Sequence, residues 1–219
     1  MTLSLQVAAW SVAGSLPFAV AIGWLLARHD FPGKALLDGI VHLPLVLPPV
    51  AVGYLLLLLF GRQGLIGVPL HDAFGITLAF TWQGVAIAAA VMAFPLFVRA
   101  LRLSFEAIDR RIEVAARTLG AGPLDTFASV TLPLAAPGLL AGIVLAFARA
   151  LGEFGATIAF AASIPGETRT LPLALYAVMQ SPDNEEAAVR LMALSFAIAV
   201  AALLAAEGLS RRIARWLGT

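Results

Sequence analysis

Glu113-Val-Ala-Ala-Arg-Thr-Leu-Gly-Ala-Gly-Pro-Leu-Asp-Thr-Phe-Ala-Ser-Val-Thr-Leu-Pro133 is a polar, cap-punctuated stretch between two long apolar runs. Its local chemistry predicts a helix, a turn and a second short helix. Asp109, just upstream, offers a carboxylate to the free amides of a first turn that begins at Arg110. Glu113 and Arg117 stand four apart, acid first, the order that favours a pair on a helix surface. Ile112, Ala115, Ala116 and Leu119 recur at helical spacing and form one apolar face. Gly120 supplies the left-handed residue that closes a helix. Pro123 restarts one at its first turn, where a missing amide hydrogen is not needed, and Pro133 opens the next apolar run. Held between membrane spans, such a segment suits a groove on another protein; on pattern alone, a helix lying flat on lipid fits it as well.

The flanking runs set the class. Of the 219 residues, 61% are hydrophobic and 12% charged, and the mean hydropathy is +0.95. No soluble core of this length hides so much apolar surface, so the chain reads as all-α and integral to a membrane. The absence of cysteine excludes disulfides and thiolate metal sites. A net charge of +1 carries no signal for nucleic acid. A secretory leader places positive charge before its apolar core, whereas the first basic residue here is Arg28; the first span is therefore expected to be retained.

Five spans are predicted, at about 3–27, 36–60, 82–98, 133–151 and 187–206, with the polar segment at about 109–132 between the third and fourth. Each of the five is close to the roughly 20 residues needed to cross a hydrocarbon core. Pro44, Pro48 and Pro49 interrupt the second; they remove backbone donors within the membrane, which either marks a pathway-facing position or a packing kink. Gly138 and Gly142 open the fourth to close helix contact. Phe154 to Ile164 and Leu171 to Met179 are apolar but too short to span, and are read as interfacial or re-entrant pieces around Pro165-Gly166. With five spans, ten of the 14 basic residues, including Arg28, Lys34, Arg99 to Arg117 and the Arg211/Arg212/Arg215 tail, share one side. That side is expected to be cytoplasmic, with the N-terminus outside. The halves lack the mirrored broken segments of an inverted-repeat carrier.

No catalytic constellation stands out, and no enzyme activity or cofactor is expected. Gly33-Lys34 lacks the upstream glycine and following hydroxyl of a nucleotide-binding loop. His29, His42 and His71 are scattered without metal-ligand spacing. Arg149 and Glu153, four apart at the end of a span, are costly in lipid. They either pair with each other near the interface or line a translocation path, where Gly152 and Gly155 allow close backbone approach and Phe154 obstructs passage.

Glu113, Ala115, Ala116 and Gly120, followed at a fixed distance by Val130, Leu132 and Pro133, resemble the signature loop of ABC importer permeases. In that family the loop is the coupling helix, which fits a cleft on a cytoplasmic ATPase subunit. The resemblance assigns ATPase coupling to Glu113, Ala115, Ala116, Arg117, Gly120, Leu132 and Pro133, and a path or gate to Pro48, Pro49, Gly53, Arg149, Gly152, Glu153, Phe154 and Gly155. Arg149-Ala-Leu-Gly-Glu-Phe-Gly-Ala-Thr157 is similar to permeases for tetrahedral oxyanions. Phe31-Pro-Gly-Lys-Ala-Leu-Leu-Asp38, His42-Leu-Pro-Leu-Val-Leu-Pro-Pro-Val-Ala-Val-Gly-Tyr54, Ala115-Ala-Arg-Thr-Leu-Gly-Ala-Gly122 and Ile164-Pro-Gly-Glu-Thr-Arg-Thr170 are close to the molybdate branch. The likeness covers essentially the whole chain.

What the resemblance implies is a type I importer fold in a bacterial inner membrane. The permease would be a homodimer joined to two cytoplasmic ABC ATPase subunits and served by an extracytoplasmic molybdate-binding protein, with ATP hydrolysed by the partner. An additional N-terminal span found in some relatives is not expected here. Sulfate, thiosulfate and tungstate permeases share this architecture. An ion-driven secondary carrier would work without an ATPase, and the absence of mirrored broken helices or a membrane-embedded acid relay argues against it; a non-transporting scaffold would leave the proline-rich second span and the Arg149/Glu153 pair without a use.

Overall fold

The computed structural model describes residues 1–180 and 185–216. Among the described residues all regular structure is helical. Helix α1 (Thr2–Arg28) and helix α5 (Trp82–Ala107) form the spine. At 27 and 26 residues they reach about 40 Å, more than the hydrocarbon core of a bilayer.

Burial alone does little to hold two such helices together, because lipid tails are as apolar as leucine; close packing does the work. The buried stripe of α1 is accordingly built from small residues, among them Ser4, Ala8, Ser11, Ser15, Ala19 and Gly23. It lies on the face of α5 that carries Ala86, Ala89, Ala93, Phe97 and Leu101. A Cβ on Gly23 would stand 3.0 Å from that of Leu101. Ser11 Oγ donates to Val7 O at 2.7 Å and across to Ala86 O at 2.8 Å, and Ser15 Oγ donates to Ser11 O at 2.7 Å, so these seam hydroxyls are not left unpaired.

The stretch read as a second span is two helices, α2 (Lys34–Val46) and α3 (Pro49–Phe60), bent by 115°. Pro48 and Pro49 both lack an amide hydrogen, and a residue preceding proline is driven out of the helical region. Leu47 obeys, with ψ at 144°, and Pro49 then starts α3 at a position that needs no donor. Helix α2 lies against α5, while α3 turns away to pack on a later helix, α10. Helix α4 (Gly67–Phe74) fills the connection back to α5.

After α5 come α6 (Arg110–Thr118), α7 (Pro123–Thr126), a π-helical turn (Phe127–Thr131), α8 (Leu132–Leu134) and α9 (Ala136–Leu151). The segment Pro123–Leu134 and α9 are bent by 69°. Helix α9 returns along α5, and the expected glycines make the contact: a Cβ on Gly142 would meet the Phe97 ring at 2.9 Å, and one on Gly138 would collide with Ser104. The two short apolar pieces form α10 (Gly155–Ala161) and α11 (Leu171–Met179), and α12 (Glu185–Trp216) runs beside α9 and α11.

By length and composition α1 and α5 can cross a membrane, and the two bent pairs raise the count to four. Helix α12 is 32 residues long and has an uncharged Leu191–Leu204 stretch. The side chains of Arg211, Arg212 and Arg215 lie outside the described set. The bundle thus has two ends: Arg28 of α1 faces the α6 end, and Ser4 Oγ accepts from Leu171 N at 2.8 Å at the α10 end.

Candidate functional site

At the α6 end, Asp109 caps the helix by accepting from Arg111 N at 2.9 Å. Gly120 closes it at φ +96°. Gly120 N donates to Arg117 O at 3.0 Å and Ala121 N to Ala116 O at 3.1 Å, the paired bonds of a Schellman stop. Pro123 heads α7 as expected. So Ala116 and Gly120 shape the end of α6, while Ala115 faces solvent.

Glu113 does not pair with Arg117. Its Oε1 accepts from Arg28 Nη2 at 3.0 Å and from Thr131 Oγ1 at 2.8 Å, and Arg28 Nη2 also donates to Ile108 O at 3.2 Å. The reason is environment: the Arg28 and Glu113 side chains are only 7% and 14% exposed. A charge-assisted bond between partly desolvated groups outweighs a surface pair worth a few tenths of a kcal/mol. Glu113 therefore joins α6 to α1 and, through Thr131, to the π-helical turn that leads into α9. Leu132 is half-buried and Pro133, at the start of α8, is exposed.

Away from the bundle this end presents apolar side chains that nothing covers. Leu119 is 90% and Leu124 84% exposed, and Ile112 and Val114 are also exposed. A second set of ion pairs ties α2 to α5 nearby, with Arg102 bonding Asp38 at 3.0 Å and Glu106 at 2.8 Å. In the loop before α2, Lys34 bonds Asp30 at 2.8 Å. That hydrogen bond, with the charge of Lys34, holds the Asp30 carboxyl below the usual carboxylate range.

The α10 end is built differently. A Cβ on Gly53 of α3 would collide with the Ala156 carbonyl oxygen and stand 2.8 Å from the Ala159 Cβ; one on Gly155 of α10 would stand 2.7 Å from the Pro49 Cβ. Pro49, Gly53 and Gly155 are thus one contact between two helix backbones, whereas Pro48 and Gly152 are exposed. Arg149 Nη1 donates to Glu153 Oε2, and Glu153 Oε1 accepts from Ala156 N at 2.8 Å, satisfying a free amide in the first turn of α10. Glu153 is 3% exposed; its charge is met by Arg149 and by that amide. Phe154 leans on Tyr176 of α11, ring centroids 4.9 Å apart. Beyond α10, Ala162 sits at φ +57°, ψ −160°, a conformation that costs a non-glycine residue about 1–3 kcal/mol.

Residues 19–217 match the family described as binding-protein-dependent transport system inner membrane component. The chain belongs to that family. As a transport-system membrane component, it is 58% identical over 209 residues to the molybdenum transport system permease protein ModB of Escherichia coli strain K12, which covers 95% of this chain and 91% of the relative. It is 52% identical to the ModB of Haemophilus influenzae over 218 residues, 100% of this chain and 95% of the relative. A sulfate transport system permease protein, CysW of Synechococcus elongatus, is 42% identical over 78% of this chain and 59% of the relative.

Among solved structures, the MetNI methionine ABC transporter in an inward-facing conformation superposes with a TM-score of 0.73 at 17% identity, over 96% of this chain and 93% of that one. A bacterial alginate ABC transporter does so at 0.77 and 16%, over 97% and 78%. At such identities the likeness establishes the fold, a type I ABC importer permease. At both ends, residues that sequence reasoning passed over prove structural. Arg28 and Thr131 fix Glu113, and Ser4 holds the start of α11. A signal for Arg28 existed: it is the lone cation closing a 27-residue apolar helix. Thr131 carried none.

Proposed function

We propose that the chain is the membrane-spanning subunit of an ATP-driven molybdate importer, working by alternating access in the bacterial inner membrane. The observation that carries this reading is 58% identity over 91% of the Escherichia coli molybdenum permease; two sulfate permeases match at 38% and 42%, over 60% and 59% of their length. Its partners are a second copy of itself, two cytoplasmic ABC ATPase subunits that hydrolyse the nucleotide, and an extracytoplasmic molybdate-binding protein. The α6 end faces the cytoplasm, consistent with the basic residues gathered there, and the N-terminus lies outside.

The geometry supports a lever. ATPase subunits that close on nucleotide would carry α6 with them by its exposed Ile112, Ala115 and Leu119 side. Glu113 passes the displacement to α1 through Arg28 and to α9 through Thr131. Both helices pack on α5, so the bundle moves as a body and reopens toward the other side between the two copies. Ala116, Arg117, Gly120, Leu132 and Pro133 give this connection its shape. Pro48, Pro49, Gly53, Arg149, Gly152, Glu153, Phe154 and Gly155 surround the far end, where the oxyanion enters. In this reading molybdate is cargo.

The test is uptake of labelled molybdate by a strain that depends on this chain, with unlabelled tungstate and sulfate as competitors. Tungstate is expected to displace the label and sulfate to leave it. Sulfate competing as well as tungstate would instead favour the sulfate/thiosulfate reading of the same architecture.

A further inference from the structure

Between the end of α1 and the inner side of α6 lies a cavity of about 230 Å³, floored by the π-helical turn and α7. Arg28, His29, Arg110, Arg117, Glu113 and Thr126 face it. Three guanidinium groups and an imidazole thus share the space with one carboxylate. That carboxylate is engaged: Glu113 Oε1 accepts from Arg28 and Thr131. Two of the remaining groups are buried polar atoms with no partner, Arg28 Nε and Thr126 Oγ1. Their side chains are 7% and 2% exposed, so neither can turn to bulk water. On the rim, the Arg110 and Arg117 side chains make no ion pair or hydrogen bond among the described residues, although the charge of Arg110 is felt by Asp30.

A buried donor is left unpaired only at a cost, and guanidinium groups converging on one space repel each other. A ligand that relieves both must be negatively charged and rich in acceptor oxygens. The planar fork of arginine matches such a group. We infer that the cavity binds a tetrahedral oxyanion of the phosphate, sulfate or molybdate class, arriving either free or as the phosphomonoester headgroup of a lipid. The occupant bonds Arg28 on α1, Arg117 on α6 and Thr126 ahead of the π-helical turn. It therefore clamps the joint between α6 and the bundle, which makes it a regulator of movement there rather than cargo in transit. The inference does not depend on which oxyanion is transported.

The experiment uses the purified full chain in nanodiscs of phosphatidylcholine, without binding protein, ATPase or nucleotide, and reads binding of radiolabelled inorganic phosphate, with unlabelled sulfate and molybdate as competitors. One saturable site per chain is expected. Arg117→Gln weakens it at least tenfold and Thr126→Val several-fold. Because the buried Thr126 hydroxyl has no hydrogen-bond partner among the described residues, Thr126→Val is expected to leave the melting temperature unchanged or higher, which separates lost binding from lost folding. A parallel arm adds phosphatidic acid. If the lipid is the occupant, one phosphatidic acid stays with each chain in native mass spectrometry and displaces the labelled phosphate, and Arg117→Gln releases it. No binding of phosphate or of phosphatidic acid up to millimolar concentration overturns the inference. So does binding that both variants retain in full, which marks an adventitious ion only. Molybdate uptake by the assembled importer can succeed or fail independently of either result.

Discussion

The two ends of this bundle are joined by opposite means. At the α6 end, helices meet through long charged side chains: Arg28 with Glu113, and Arg102 with Asp38. At the α10 end they meet where side chains are missing, with Gly53 and Gly155 placing two backbones in contact. The attraction within a charged pair falls off gradually with distance, so such a pair can lengthen somewhat and shorten again without steric clash. Backbone contact tolerates no such play, because each atom is already at van der Waals distance. In the proposed mechanism, one end would receive a displacement and the other would keep its shape while the bundle moves.

The largest effect should come from reversing the charge at the joint. Glu113→Lys sets a second cation against Arg28, which has no route to water. Breaking a buried pair costs about 3–5 kcal/mol; since Glu113 is not fully enclosed, the lower part of that range is expected. A fall in melting temperature of the solubilised chain and loss of uptake would both follow, and Arg28→Glu added to Glu113→Lys should restore part of each. Unchanged melting and uptake in Glu113→Lys would mean the pair does not join α6 to the bundle.

At the rigid end a single methyl is the sharper probe. Gly53→Ala forces α3 off α10, and overpacking of this kind costs about 1–3 kcal/mol. Gly39, on the exposed side of α2, is the matched control: a Cβ there meets nothing within 4 Å. Gly39→Ala should be neutral or stabilising by up to about 1 kcal/mol, since alanine has the better helix propensity. Equal melting temperatures for the two variants would erase the contrast between the ends.

What could be read from sequence follows the same division. The cap at Asp109, the stop at Gly120 and the restart at Pro123 are written in neighbouring residues, and α6 and α7 form where they indicate. The partner of Glu113 was not legible, because Arg117 is the obvious candidate four residues away while Arg28 lies 85 away; only the fold shows that Arg28 is desolvated. Prolines in the second apolar run announced a disturbance, but a 115° turn depends on α3 finding α10. The apolar pieces 154–164 and 171–179 form helices of seven and nine residues, as short as their sequence lengths suggested. Gly53 and Gly155 were visible as glycines, and it took the structure to show that they serve one contact.

The smallest change to the isolated chain is also the most informative about the α6 end. Leu119 is 90% exposed, so Leu119→Ser removes almost no packing and should shift stability by less than about 0.5 kcal/mol. Its expected cost appears only in the assembly: reduced retention of the ATPase subunits on purification, and uptake lowered several-fold. A helix resting on lipid also loses apolar contact in this variant, but its nucleotide hydrolysis would stay coupled to molybdate uptake. Hydrolysis that continues while uptake falls would place Leu119 against a protein partner. Retained assembly with unchanged uptake would return α6 to the membrane surface and leave the joint between Glu113 and Arg28 with nothing to transmit.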